Sequence, residues 1–294
     1  MIDVIIPTYN RARALTKVMD SYLLQEHLGQ IIFVDDCSTD RTTHYVASLA
    51  NKYPGKIIYH RMKNKSTLPN VRNVGLGFAK NEYVFMGEDD VLLPPDHFKI
   101  LLAKMSELKA DIISGRRINL PTDQTEAEAK QLADRNKEPV FVRIPFEAYF
   151  ERFVDAPREV YTLHSNVLMK RSVFQKVKYD PLYGGSAFRE ETDFFLRAYD
   201  AGFHLWLIPD TWSFHLRNTS ANNSGGSRKS RLVYEYHVWK NTIRLFTKNR
   251  KIFENKFGVK NIHWFAFRSL IARYPYALKR RIGWFMNHNH YAKT

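Results

Sequence analysis

Apolar runs and helix-period segments alternate along the first 115 residues, and that alternation narrows the possible folds more than any other feature. The runs are IDVII (2–6), QIIFVDD (30–36), KIIYH (56–60), YVFMG (83–87) and ADIISG (110–115). Between them, residues 12–27, 37–53, 68–80 and 94–108 carry apolar side chains at helical spacing, as Leu15, Val18, Met19, Tyr22 and Leu23 do in the first. Short buried strands separated by amphipathic helices predict a parallel α/β sheet with helices on both faces. In such sheets, ligands bind beyond the carboxyl ends of the strands.

Those ends are polar here. Thr8–Arg11 follow the first run, Asp35–Asp36 close the second, and Glu88, Asp89 and Asp90 follow the fourth. Acidic pairs in a loop can be simple turn formers or helix caps. At the end of a buried strand, Asp89–Asp90 suit a hard divalent cation, Mg²⁺ or Mn²⁺, that also bridges substrate phosphates. Neither glycine-rich phosphate loop, GxGxxG or GxxxxGK[ST], occurs. A nucleoside diphosphate bound without such a loop needs its charge offset by other means, and a carboxylate-held cation does this.

Beyond residue 115 the period changes. Residues 121–139 are charged and helix-prone, and read as a surface insertion that is either a solvated helix or a mobile lid. Residues 189–203 read as a helix ended near Gly202, and 204–208 as a strand. Glu190, Glu191 and Asp193 fall in the first turn of that helix, where the dipole favours ionised acids. A carboxylate so placed suits a general base. The polar stretch 218–227 is a loop, and 228–294 is basic and aromatic.

Five motifs, VIIPTYNR, FVDDCSTD, NVRNVGL, GEDDVLLPP and REETDFFLRAYDAGF, stand in order over residues 1 to about 217. Together they resemble the inverting glycosyltransferases of family 2. The resemblance implies a GT-A, Rossmann-like nucleotide-binding fold: a mixed, mainly parallel sheet flanked by helices, here with a C-terminal basic helical extension. It places a catalytic domain over 1–220, with a nucleotide-sugar half (1–115), an insertion (121–139) and an acceptor half (140–217), ahead of the extension at 228–294. It implies nucleotide contacts from Thr8, Tyr9, Arg11, Asp36, Arg72 and Asp89, and a metal on Asp90 and His215. Glu191 is then the base, flanked by Glu190 and Asp193. Glu88 and Glu191 stand where the family more often has aspartate. His164, Ser165 and Asn166 fall in a segment resembling the family's acceptor-side strand.

The implied reaction moves a sugar from a nucleoside diphosphate, most simply UDP, to a hydroxyl of a glycan or glycolipid in bacterial surface polysaccharide or lipopolysaccharide synthesis. Two rival classes are a silent nucleotide-sugar-binding module and a nucleic-acid-binding protein. The formal charge of +15 is compatible with the latter, but no nucleic-acid module is present and paired acids would repel a phosphate backbone. The single cysteine, Cys37, excludes an internal disulfide and suits a reducing compartment. The start does not read as a signal peptide, and no apolar stretch is long enough to span a bilayer. The expected location is therefore cytoplasmic, with peripheral contact to anionic lipid through Trp264, Phe267, Ile271 and Tyr274 and the cations and aromatics of 278–285. Packing of the same aromatic stripe against the catalytic domain is the competing reading.

Overall fold

The structure is a computed structural model that describes residues 1–216 and 230–275. The loop expected at 218–227 and the cationic aromatic residues 278–285 lie outside the described residues. The elements run β1 (Ile2–Thr8), α1 (Ala12–Leu23), β2 (Leu28–Asp35), α2 (Thr42–Lys52), β3 (Ile57–Arg61), α3 (Leu68–Phe78) and β4 (Tyr83–Met86). Next come β5 (Val91–Leu92), α4 (His97–Glu107), β6 (Ile112–Leu120), α5 (Glu126–Arg135), β7 (Phe141–Val142), β8 (Glu147–Ala148) and β9 (Arg158–Glu159). The chain continues with β10 (Leu168–Lys170), α6 (Val173–Lys176), α7 (Glu190–Asp200), β11 (Leu205–Leu216), α8 (Arg231–Lys248) and α9 (Arg250–Phe257). Residues 262–275 are again helical.

Among the described residues the main sheet has the order β3-β2-β1-β4-β10-β6-β11-β5, with β9 on β11. Strands β3, β2, β1 and β4 pair in parallel. The short β10 is antiparallel to both β4 and β6, which restores the direction, and β6 then pairs in parallel with β11. The carboxyl ends of six strands therefore point the same way, which gathers the polar clusters on one edge.

Side-chain alternation divides the core. Ile5, Val84 and Met86 face a layer with Phe194 and Phe195 of α7. Val4, Ile6 and Phe85 face the opposite layer, with Leu15, Val18 and Met19 of α1 and Phe98 of α4. This is the two-faced burial that the apolar runs predict. A third cluster joins Leu196 of α7 to Phe146, Leu245, Phe246, Phe253 and Phe265, so the C-terminal helices share a core with α7.

Three local readings change. The run 204–208 is only the start of a longer strand, β11, which continues through His215 and whose register against β6 slips between Leu207 and Trp212. Gly115 sits opposite the slip, where any Cβ would strike the Thr211 carbonyl. Helix α4 begins only at His97, because Pro94 and Pro95 belong to the preceding turn. The 121–139 segment is a helix held to the sheet: Thr125 and Glu128 form a capping box, Ala129 is buried with Ile118 and Phe214, and Asp134 pairs with Arg116.

Candidate active site

Two loops form the floor of the site. Asn10, at φ 54°, turns its side-chain oxygen to accept the Thr39 and Asp40 amides, at 2.7 and 3.2 Å. Its own amide donates to Ser38 Oγ, and the next amide, of Arg11, donates to Thr42 Oγ1, both at 2.9 Å. The loop after β1 is thereby tied to the loop after β2. On this floor, Lys65 Nζ lies over the Tyr9 ring, 2.9 Å from its centre. Asp36 Oδ1 accepts the Ser66 amide at 2.7 Å. Burial raises the Asp36 pKa, against the Ser66 amide and Lys65. Its neighbour Asp35 is fully buried and structural, taking the Tyr59 hydroxyl at 2.6 Å, Arg61 at 3.0 Å and the Ser38 amide at 2.8 Å.

The acidic triplet divides its tasks. Glu88 is engaged at both oxygens, by Arg117 Nη2 at 2.6 Å and by the Ser165 hydroxyl at 2.5 Å. Burial would raise its pKa, but Arg117, His215 and the Ser165 hydroxyl outweigh it and hold the carboxylate at about 2. Asp89 is different. Burial pushes its carboxyl up to about 8, with Asp90 adding to the rise against Arg11 and the Thr8 hydroxyl. Arg11 joins the two aspartates, with Nε 3.5 Å from Asp89 and Nη2 3.6 Å from Asp90.

Asp90 Oδ1 lies 3.6 Å from His215 Nε2, at the end of β11. Two donors each about 2.1 Å from one cation stand roughly 3.0–4.2 Å apart, so this pair fits a single ion. Among the described residues no three His, Cys, Asp or Glu side chains converge on one point. An ion held by this pair alone would need further oxygen ligands to complete its shell.

The second acidic group starts α7. The buried Arg72 guanidinium reaches Glu190 Oε1 through Nη1, at 2.9 Å, and Glu191 Oε1 through Nη2, at 3.0 Å. The first contact is an ion pair without hydrogen-bond alignment; the second is a hydrogen bond. The resemblance places Arg72 beside the nucleotide, whereas here it sits between the two glutamates. Burial pushes the Glu190 carboxyl up to about 8 against Arg72, with Glu191 and Glu88 adding to the rise. Glu191 keeps 30% of its side chain exposed, against 3% for Glu190. Asp193 is fully enclosed. Tyr183, Arg197, Lys248 and Asn249 all bond its oxygens, so it ties α7 to α8 and α9.

The two groups share one field. Burial lowers the Arg117 pKa, but Glu88, Glu191 and Asp90 together raise it above its ordinary value. Arg117 has no place in the motif reading, although two arginines in the strand SGRRINL were a legible signal of a polar task. His164 is structural. Its Nδ1 accepts the Asn166 amide at 3.1 Å, so Nε2 carries the proton and donates to the Gly115 carbonyl at 2.9 Å. Burial, helped by Arg117, lowers its pKa to about 3 and keeps the ring neutral. Asn166 is buried beside it.

Comparison with known proteins identifies the family and the fold. The Glycosyl transferase family 2 profile matches residues 3–178, more than half of the chain. The uncharacterized glycosyltransferase YaiP of Escherichia coli is 32% identical over 116 residues, which are 39% of this chain and 29% of YaiP. The poly(ribitol-phosphate) beta-N-acetylglucosaminyltransferase TarS of Staphylococcus aureus is 27% identical over 158 residues, 50% of this chain and 27% of TarS. The matched stretches thus span under a third of either relative. The crystal structure of TarS 1–349 with UDP-GlcNAc superposes with a TM-score of 0.63 at 18% identity, over 86% of this chain and 66% of that one. GalNAc-T7 with UDP, GalNAc and Mn²⁺ gives 0.62 at 14% identity, over 90% and 56%. These likenesses establish the fold. The chain belongs to glycosyl transferase family 2 and has the GT-A fold.

Proposed function

We propose that this chain is an inverting glycosyltransferase that moves a sugar from a UDP-linked donor to a hydroxyl of a glycan or glycolipid. The observation that carries the reading is the pairing of two acidic groups on one sheet edge. Asp90 and His215 lie within reach of one shared cation, and the accessible Glu191 is held by Arg72 within the field of Arg117. TarS, named a beta-N-acetylglucosaminyltransferase and solved with UDP-GlcNAc, supports a UDP-sugar donor. The poly(ribitol-phosphate) in the name of TarS supports an acceptor that is a surface polymer or its precursor. The exposed aromatic stripe Trp264, Phe267, Ile271 and Tyr274 supports a place at the inner face of the cytoplasmic membrane.

In this reading Asp36 receives the base, and Thr8, Tyr9, Arg11 and Asp89 line the nucleoside and diphosphate. Asp90 and His215 would hold Mn²⁺ or Mg²⁺, which when bound offsets the charge on the diphosphate. Arg72 donates to Glu191 Oε1, which leaves Oε2 to accept the acceptor's hydroxyl proton. The hydroxyl oxygen bonds to the anomeric carbon as the bond from that carbon to the diphosphate oxygen breaks. Attack from the opposite face inverts the configuration. Glu190 and Asp193 serve position, one on Arg72 and the other on the C-terminal helices.

The test is incubation with a panel of UDP-sugars, Mn²⁺ and glycan acceptors, with the product's anomeric configuration read by NMR. An inverted linkage is expected. A retained configuration, or turnover unaffected by Asp90→Ala, contradicts the reading.

A further inference from the structure

The helical run 262–275 presents two apolar faces. Ile262, Phe265, Ala266 and Leu270 are buried, the first three in the core shared with α7. Trp264, Phe267, Ile271 and Tyr274 recur at spacings of three and four, and they are 57%, 50%, 47% and 41% exposed. The Trp264 and Phe267 rings stack on each other at 5.5 Å. The core thus takes a different set of side chains and leaves the aromatic stripe outside.

Helix α8 repeats the arrangement. Its inner side holds the segment that leads into α7: Asn241 donates to the Gly184 carbonyl, and Arg244 and Lys248 bond Asp180. Its outer side exposes Tyr236 and Ile243, 62% and 45%. The two outer stripes meet where Trp239 Nε1 donates to Tyr274 Oη, at 2.9 Å. Exposed aromatic side chains grouped in this way mark a binding face.

Charge identifies the occupant. Arg231, Lys240 and Arg268 are exposed on these two helices. The one acid in the described residues of 230–248 and 262–275, Glu235, is bonded to Arg273 at 2.8 Å. Two copies of such a face would repel each other. A surface of anionic headgroups over acyl chains would satisfy the cations and the aromatic rings together.

We infer that the joined outer faces of α8 and residues 262–275 form a docking surface for an anionic lipid bilayer. The inference deepens the proposed placement at the membrane and rests on that reading for its biological setting, while its test needs no turnover. Because the inner side of α8 grips the segment before α7, a docked chain would hold its acceptor half at a fixed height above the lipid.

The experiment is co-sedimentation of the full chain with vesicles of phosphatidylglycerol and phosphatidylcholine, or of phosphatidylcholine alone. It compares wild type with Trp264→Ser/Phe267→Ser and with Lys240→Glu/Arg268→Glu. These side chains are exposed, and UDP titration of each variant checks that the donor half is intact. The expected results are binding to the anionic vesicles only, weakening at high salt, and a loss of about tenfold in either variant with UDP binding unchanged. Equal sedimentation of wild type and both variants overturns the inference. So does a wild type that ignores vesicles but forms a dimer that Trp264→Ser/Phe267→Ser abolishes. Loss of UDP binding in wild type would instead count against the donor-site reading and leave the lipid result standing.

Discussion

The two acidic groups on the sheet edge look alike in sequence and are built in opposite ways. Glu88–Asp90 end a buried strand and are braced from outside, by Arg117 and Ser165 on Glu88 and by Arg11 on the aspartates. Glu190–Asp193 start a helix and are braced from beneath, by Arg72 on the glutamates and by α8 and α9 on Asp193. In each group we assign the frame to the most thoroughly bonded acid, Glu88 or Asp193, and the proposed chemistry to a neighbour, Asp90 or Glu191. Bonding, rather than position within the motif, is the basis of that assignment.

The largest expected effect breaks the comparison at its accessible member. Glu191→Gln removes the proposed proton acceptor and keeps the shape and the Arg72 contact. Turnover should fall by about 10²–10⁴-fold, with thermal stability nearly unchanged. A melting curve beside a steady-state rate measurement checks both halves of that statement.

Asp193→Ala should do the reverse. It strands Arg197 and Lys248 around an emptied, fully buried site, at a cost of about 3 kcal/mol in stability. Denaturant unfolding measures this. A variant as stable as wild type would show that the helices do not depend on Asp193 as their joint.

The smallest effect sharpens the contrast through pH. Burial raises the Glu190 carboxyl from 4.5 to about 8, against Arg72. Between those values the folded chain holds a proton that the unfolded chain has released, so this group's contribution to stability falls as pH rises through the window. Melting temperatures taken between about pH 5 and about pH 8 should decline less in Glu190→Gln than in wild type. Parallel curves would mean that Arg72 keeps Glu190 ionised throughout.

Much of this was legible in the sequence, because period and polarity carry it. The apolar runs gave every strand from β1 to β4, and the polar residues at their ends gave the edge that holds Asp36, Asp89 and Asp90. Less legible were the long-range partners. Arg72 lies 119 positions from Glu191, and only the fold brings them together. Arg117 sits mid-strand, where periodicity expects a core side chain, and its pairing with Glu88 depends on the β10 insertion that sets β6 two strands from β4. The C-terminal helix shows the same limit. Its sequence offers two apolar stripes, and only packing chooses Phe265 for the core and leaves Trp264 in water.

The most direct test of the division between the two groups is calorimetric titration of UDP, with and without Mn²⁺, into wild type, Asp90→Ala and Glu191→Gln. The account predicts metal-dependent binding in wild type, its loss in Asp90→Ala, and near-wild-type affinity in the inactive Glu191→Gln. Equal, metal-independent binding by all three proteins would contradict it, because neither acidic group would then be distinguished as the donor site.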